Sequence, residues 1–345
     1  MNMGNQGDQY VAQLIDANLD RAREGLRVVE DWCRFGLKDL ALSAQLKDLR
    51  QKLGSLHERK YKYARNTSTD KGLGLDHPCQ LDRNSPDKII EANCSRSQEA
   101  LRVLEEFSRK RNDCLAKTAK DIRYELYDLE IKILNATDKN KRHKILNSCN
   151  LCLVTSPKKN LLPIIDKVLR AGVKMIQYRY KEGNDIDKIK EASDISSKCK
   201  EFGSLLIIND RIDIALAVDA DGVHLGQNDF TTKLARKLLG SEKIIGRSTN
   251  CLEQVNRAYS EGCDYIGFGP IYQTATKPNK EAIGIDKINK INSDNVLPFF
   301  CIGGINNTNI EPVISAGASR IAVISAIMEA KDPYLEALEF LKKLK

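Results

Sequence analysis

The chain has 345 residues, enough for two domains, and 41% of them are hydrophobic. The net charge of +8 is spread along the chain, with few aromatics among the basic residues, which argues against a nucleic-acid partner and suits small anionic substrates. The polar start MNMGNQGDQY, the lack of any run approaching a membrane span, and ten cysteines scattered through apolar patterns point to a cytoplasmic protein without a membrane partner.

Residues 1 to about 140 read as almost all helix. Leu14, Ile15, Ala22, Leu26 and Val29 recur at helical spacing, and so do Leu46, Leu49, Leu53 and Leu56. The segment also repeats itself. Laying residues 15–34 over 90–109, an offset of 75, gives ten identities in twenty positions. Among them are Asn18/Asn93, Arg21/Arg96, Glu24/Glu99, Arg27/Arg102 and Glu30/Glu105. Lys47-Asp48-Leu49-Arg50 then matches Lys120-Asp121-Ile122-Arg123. The unit is therefore a pair of helices, and two pairs predict a pseudo-symmetric four-helix bundle. The repeated charges read either as a surface ladder of ion pairs or as an arginine-lined cleft for phosphate. Between the copies, residues 65–74 (RNTSTDKGLG) offer hydroxyls, a lysine and two glycines, but not the Walker A spacing. Residues 135–144 are polar and basic with no apolar period, which places the linker there. The expected domains are 1–140, helical, and 141–345.

From Leu151 the pattern changes to short apolar runs: 151–154, 175–179, 205–209, 222–225, 244–246, 265–268, 298–302 and 320–323. Helical stretches separate most of them. Eight such units predict an α/β chain whose second part is a TIM (β/α)8 barrel. A doubly wound sheet is the alternative, weakened because no G-x-G-x-x-G follows the first strand. Cys149 and Cys152 form a lone C-x-x-C without a second pair at zinc spacing, so they read as part of a buried strand.

In such a barrel the chemistry lies at the strands' carboxyl ends. After strand two, Gln177-Tyr178-Arg179-Tyr180-Lys181 alternates, with Gln177, Arg179 and Lys181 on one side and the tyrosines on the other. Asn209-Asp210 follows strand three, and Gln227-Asn228-Asp229 follows strand four. Each aspartate alone could cap a helix. Together, 19 residues apart, they fit a Mg2+ shared with ligand phosphate oxygens. His224 reads as a packed or hydrogen-bonded histidine of strand four. Gly246-Arg247-Ser248-Thr249 follows strand five, and a long loop with Thr274-Ala275-Thr276-Lys277 follows strand six. Gly303-Gly304, after strand seven, and Ile324-Ser325, after strand eight, stand where TIM barrels bind phosphate through backbone N–H groups. No serine–histidine–acid set is present, and no acid pair stands out for glycoside work. Two phosphorylated ligands and one Mg2+ point to group transfer with diphosphate as the leaving group.

From near Leu151 onward, about 200 residues resemble the thiamine-phosphate synthase family. The resemblance rests on Gln177-x-Arg179-x-Lys181, Asn209-Asp210-Arg211, Gly226-Gln227-x-Asp229, Gly267-x-Gly269-Pro270, Thr274-x-Thr276-Lys277 and Gly303-Gly304-Ile305. It implies condensation of hydroxymethylpyrimidine diphosphate with hydroxyethylthiazole phosphate, giving thiamine phosphate and diphosphate. It further implies Mg2+ on Asp210 and Asp229. Gln177, Arg179, Lys181, Asn209, Ser248 and Lys277 would hold the pyrimidine diphosphate, with Tyr178 and Tyr180 alongside. Thr274, Ala275, Thr276, Gly304, Ile324 and Ser325 would hold the thiazole phosphate. Arg179, Lys181 and Lys277 would stabilise the departing charge in a dissociative step. Arg247 stands where a smaller residue is common in the family. The helical part is similar to a domain fused to synthases in cyanobacteria and some other bacteria, itself similar to a proposed hydroxymethylpyrimidine-phosphate kinase, which would take ATP. Two alternatives stay open: a thiazole-tautomerase-like barrel, and a helical module that binds or dimerises without chemistry. Lys181, Asp210, Asp229 and Lys277 argue against the first, since an isomerase expels no diphosphate. An oligomer is compatible with either.

Overall fold

A computed structural model of the chain describes residues 3–66, 83–274, 281–294 and 297–345. The chain divides into two compact units, Met1–Asp138 and Lys139–Lys345. The helices at the start of the chain are α1 (Met3–Asp31), α2 (Leu40–Ser55), α3 (Arg59–Tyr63), α4 (Pro86–Ser108) and α5 (Asp113–Ser148), with a wider π-helical turn at Trp32–Leu37. Local chemistry sets their starts. The Asp39 side chain accepts from the N–H groups of Ala41 and Leu42 to open α2, and Pro86 occupies the first turn of α4. The apolar stripes meet in one core containing Ile15, Leu19 and Leu26, Leu46, Leu49 and Leu53, and Ile90, Leu101 and Leu104.

The sequence repeat is also a repeat of bonds. Asn18 Nδ2 donates to Leu14 O at 2.9 Å, and Asn93 Nδ2 to Ile89 O at 2.7 Å. Buried Glu30 meets Arg50 at 2.7 Å and Arg27 at 3.2 Å, while buried Glu105 meets Arg123 at 2.8 Å and Arg102 at 3.1 Å. For these residues the ion-pair ladder is what forms. Thr67 to Gly74, the weak phosphate signal, lie outside the described residues.

Residues 135–144, expected as a linker, are helical within α5. They contain no glycine or proline to stop a helix. Thr137 is held in place by an N–H from Trp32 at 3.0 Å, and Leu146 is buried.

The second unit is a closed barrel of eight parallel strands in sequence order. They are β1 (Leu151–Val154), β2 (Met175–Tyr178), β3 (Leu205–Asn209), β4 (Gly222–Leu225), β5 (Ile244–Thr249), β6 (Tyr265–Phe268), β7 (Phe299–Ile302) and β8 (Ile321–Val323). β8 closes on β1 with Leu151 opposite Ile321. Between and after them lie α6 (Leu161–Arg170), α7 (Asp185–Glu201), α8 (Ile212–Ala217), α9 (Thr232–Leu239), α10 (Leu252–Ser260), α11 (Ile288–Asp294), α12 (Ile310–Ser315), α13 (Ser325–Met328) and α14 (Pro333–Lys343). The strands are continuous apolar runs because both faces are buried. One alternate set, including Met175, Leu205, Ile207, Ile244, Tyr265 and Phe300, fills the interior. The other, including Ile176, Leu206, Ile208 and Ile266, packs with helix residues. Gly246 makes room for the interior aromatic: a Cβ there would lie 2.2 Å from the Tyr265 ring.

The last turns of α5 belong to this unit. Leu146 and Cys149 join the interior cluster, and Cys152 lies in it too, so the C-x-x-C is buried apolar structure. Arg142 Nε donates to Asp221 Oδ1 at 3.1 Å, and His143 Nε2 stands 3.1 Å from Asp264 Oδ1. Among the described residues, no helix is long and apolar enough to cross a membrane.

Candidate active site

The carboxyl ends of the strands open into a cavity of about 1070 Å³, counting the space open to solvent at its mouth. It is lined by Gln177 and Arg179 from the end of β2, Asn209 from β3, His224 from β4, Ser248 from β5, and Thr274 after β6. Gly303 and Gly304 after β7, and Ile324 and Ser325 after β8, complete the polar side, while Met175, Tyr265 and Phe300 reach it from the interior. Eight residues expected from sequence therefore meet in one cavity: Gln177, Arg179, Asn209, Ser248, Thr274, Gly304, Ile324 and Ser325.

Period two explains which side chains do not arrive. Tyr178 points into the layer between sheet and helices, where its hydroxyl donates to Glu191 at 2.8 Å. Tyr180 packs against the same layer. The two tyrosines expected beside the ligand are thus absent from the cavity lining, where Gln177 and Arg179 stand. Strand five runs three residues further than expected, so Ser248 is on β5 and not after it. Arg247 alternates outward and donates to Phe230 O at 2.6 Å, so the larger residue there does not enter the cavity. Ala275, Thr276 and Lys277 lie outside the described residues.

The polar groups are linked. His224 bridges the Tyr265 hydroxyl at 3.0 Å through Nδ1 and the Ser248 hydroxyl at 2.9 Å through Nε2. Burial, the largest influence, pushes the Tyr265 phenol far above its ordinary range, while a hydrogen bond with Gln177 pulls the other way. Gln227 donates to Ser248 O at 2.6 Å. Arg179 is fixed at its backbone, whose N–H donates to Thr155 Oγ1 at 2.9 Å. From the sequence alone Tyr265 and Gln227 carry no role, and His224 reads as structural. The signal available was alternation in β6, which turns Tyr265 and Gly267 to the same side as the cavity.

Asp210 and Asp229 follow adjacent strands, β3 and β4, but are not among the cavity-lining residues. Asp210 has φ 63°, a left-handed conformation unfavourable to a residue with a Cβ, and its N–H donates to His224 O at 2.9 Å. Its carboxylate lies 4.0 Å from Lys181 Nζ. Asp229 Oδ2 accepts from Gly226 N–H at 2.6 Å. Among the described residues no group of three or more histidine, cysteine or acidic side chains could hold a metal. Two hard carboxylates without nitrogen or sulfur partners fit Mg2+, which keeps waters and takes the rest of its shell from substrate phosphates. On the far side, Gly303 (φ 103°) and Gly304 (φ 67°) turn in a way L side chains rarely adopt, and a Cβ at 304 would lie 2.7 Å from Gln273 O. Their N–H groups and those opening α13 are suited to an anion.

The profile described as Thiamine monophosphate synthase matches residues 151–327, and that of the ThiD2 family matches residues 13–132. A thiamine-phosphate synthase of Prochlorococcus marinus (strain MIT 9313) is 53% identical over 343 residues, 98% of this chain and 97% of the relative. One of Synechococcus sp. (strain CC9605) is 54% identical over 326 residues, 94% of this chain and 92% of the relative. Among solved structures, thiamine phosphate pyrophosphorylase from Pyrococcus furiosus is 32% identical with a TM-score of 0.54, over 58% of this chain and 97% of that one. The cavity sits within the part matched by the first profile, and the relatives extend the likeness through the helical unit. On these grounds the chain is a member of the thiamine-phosphate synthase family, enzymes of thiamine biosynthesis.

Proposed function

We propose that the barrel joins hydroxymethylpyrimidine diphosphate to hydroxyethylthiazole phosphate by a dissociative, Mg2+-dependent substitution. The observation that supports this most is one cavity lined both by Gln177, Arg179, Asn209 and Ser248 and by Gly304, Ile324 and Ser325, two unlike polar sets. Gln177, Asn209 and Ser248 hold the pyrimidine, and His224 fixes the Ser248 hydroxyl. Arg179, with Lys181 and Lys277, would bind the diphosphate. The bond between the pyrimidine methylene and the diphosphate oxygen breaks, and the electron pair leaves with diphosphate. Those three cations stabilise the charge that develops. Thr274, Thr276 and the N–H groups at Gly304 and Ser325 hold the thiazole phosphate, so that the ring nitrogen's lone pair forms the new C–N bond. Tyr265 and Phe300 wall the interior against water. Mg2+ on Asp210 and Asp229 would add positive charge against the diphosphate. No protein nucleophile or base is required. The test is thiamine phosphate formation from the two substrates, with and without EDTA. Full activity after metal removal would overturn the metal assignment.

For the helical domain, the match to the ThiD2 family supports a hydroxymethylpyrimidine-phosphate kinase that uses ATP to make the barrel's substrate. The protein is given ATP, pyrimidine monophosphate and thiazole phosphate. Thiamine phosphate without an added kinase supports this reading. Conversion of only the diphosphate leaves a binding module. Both activities suit a cytoplasmic enzyme whose partners are small molecules.

A further inference from the structure

The helical repeat fails at one corner. There Asp16 Oδ1 meets His57 Nε2 at 2.7 Å, and Arg65 Nε donates to Asp16 Oδ2 at 2.6 Å. Arg65 Nη2 also pairs with Asp20 Oδ2. The Asp16 and His57 side chains are 3% and 2% exposed, while Asp20 and Arg65, at 32% and 47%, open the cluster to solvent. Burial pushes the Asp16 carboxyl up, but Arg65 and His57 outweigh it and hold it below the ordinary range.

The second copy carries none of this. By the same offset of 75, Asp16, Asp20 and Arg23 correspond to Glu91, Ser95 and Gln98. By the offset of 73 that relates Lys47 to Lys120, His57 corresponds to Glu130. There Gln98 Nε2 donates to the Glu130 carboxylate at 2.7 Å and ties the helices without a histidine or an arginine. The bundle therefore does not need a histidine and an arginine at this level to pack. Nor is the corner a finished strut. His57 Nδ1 is buried without a hydrogen bond, with Asp20 Oδ1 3.6 Å away, too far to make one. The aspartates take Nε and Nη2 of Arg65, and the guanidinium's side chain remains half exposed.

We propose that Asp16, Asp20, His57 and Arg65 form a phosphate-ester binding site of the helical domain, where the acceptor of the proposed kinase reaction docks. The proposal rests on the kinase reading for the identity of that acceptor, a pyrimidine phosphate. Asp16 holds the buried His57 and Arg65 in place, so that the exposed part of Arg65 meets the acceptor's phosphate while His57 acts as a positioning residue. In the transfer the bond from the γ-phosphorus to the ADP oxygen breaks, and an oxygen of the acceptor phosphate bonds to that phosphorus. That oxygen carries no proton, so the site needs groups that hold two anions together and no base.

The test uses the full chain with Arg65→Lys and His57→Asn, each checked for an unchanged thermal melt, and Glu130→Gln as the matching change in the other copy. ATP-dependent conversion of hydroxymethylpyrimidine phosphate should fall roughly a hundredfold in the first two and stay at wild type in the third. Synthesis from ready-made pyrimidine diphosphate should not change. An active wild type with equally active Arg65→Lys and His57→Asn would overturn the site and leave the kinase reading standing. An inactive wild type would remove the kinase reading. Calorimetry with pyrimidine phosphate then decides the site alone: one ligand per chain, weakened by either variant, supports it, and no binding or unaltered binding overturns it.

Discussion

In the barrel, equivalent strand ends carry unlike residues: Gln177 and Arg179 at β2, Asn209 at β3, His224 at β4, Ser248 at β5 and Gly303-Gly304 at β7. In the helical domain, two equivalent helix pairs carry much the same residues. Glu30 meets Arg27 and Arg50, Glu105 meets the equivalent Arg102 and Arg123 with Arg109 added, and Asn18 and Asn93 each donate one turn back along their own helix. Repetition in the bundle thus reports on packing. Its departures, at Asp16 and His57, are where binding chemistry can differ from architecture. In the barrel the architecture is the alternation of strand and helix, and every strand end is free to differ.

The largest test of this division falls on the barrel. Arg179→Met or Asp210→Ala should lower thiamine phosphate formation roughly a hundredfold or more, with the ATP-dependent step on pyrimidine phosphate unaffected. Loss of both activities in a folded variant would break the separation of the two chemistries. Next, Glu30→Gln and Glu105→Gln should each cost about 2 kcal/mol in urea unfolding, because each leaves buried arginine contacts without their charge. Clearly unequal costs would show that the two copies bear load differently. Tyr265→Phe removes only a hydroxyl from the His224 bridge and should slow synthesis by up to about tenfold with little change in melting. An unchanged rate would make that bridge purely structural.

The smallest effect concerns Asp264. Burial raises its carboxyl pKa, but His143, Arg236 and the Ile245 N–H outweigh burial, so the folded value lies below the ordinary one. A lowered folded pKa contributes stability that is present above the unfolded value of about 3.9 and lost as pH falls through the folded value. Asp264→Asn should therefore lower the melting temperature at neutral pH and flatten its dependence below about pH 4. Melting curves across pH check this, and an unchanged slope would remove Asp264 from the acid response.

Much of this was legible in the residues themselves. Continuous apolar runs ending in polar residues marked all eight strands, and alternation placed Gln177 and Arg179 inward. Alternation had equally turned Tyr178 and Tyr180 away, yet they were expected at the ligand. The end of β5 was misjudged because Arg247 and Ser248 are polar, although the former is covered by Phe230 and the latter by His224. The corner at Asp16 gave no local signal, because its partners lie 41 and 49 residues away and meet only when α3 returns to α1. The helix through residues 135–144 was hidden by composition: its polar residues suit a solvated helix as well as a loop, and Thr137 and Leu146 anchor it only through contacts distant in sequence.

That helix bears on where the barrel begins as a transplantable part. The natural seam suggested by the strands is just before Leu151, but a fragment cut at residue 145 would discard Arg142 and His143, the partners of Asp221 and Asp264. Those carboxylates also receive the Leu206 and Ile245 N–H groups, so their loss of charge balance would be felt at the roots of β3 and β5. A barrel excised from Lys139 onward retains both pairs, so the stretch that resembles a spacer in composition is part of the barrel's foundation.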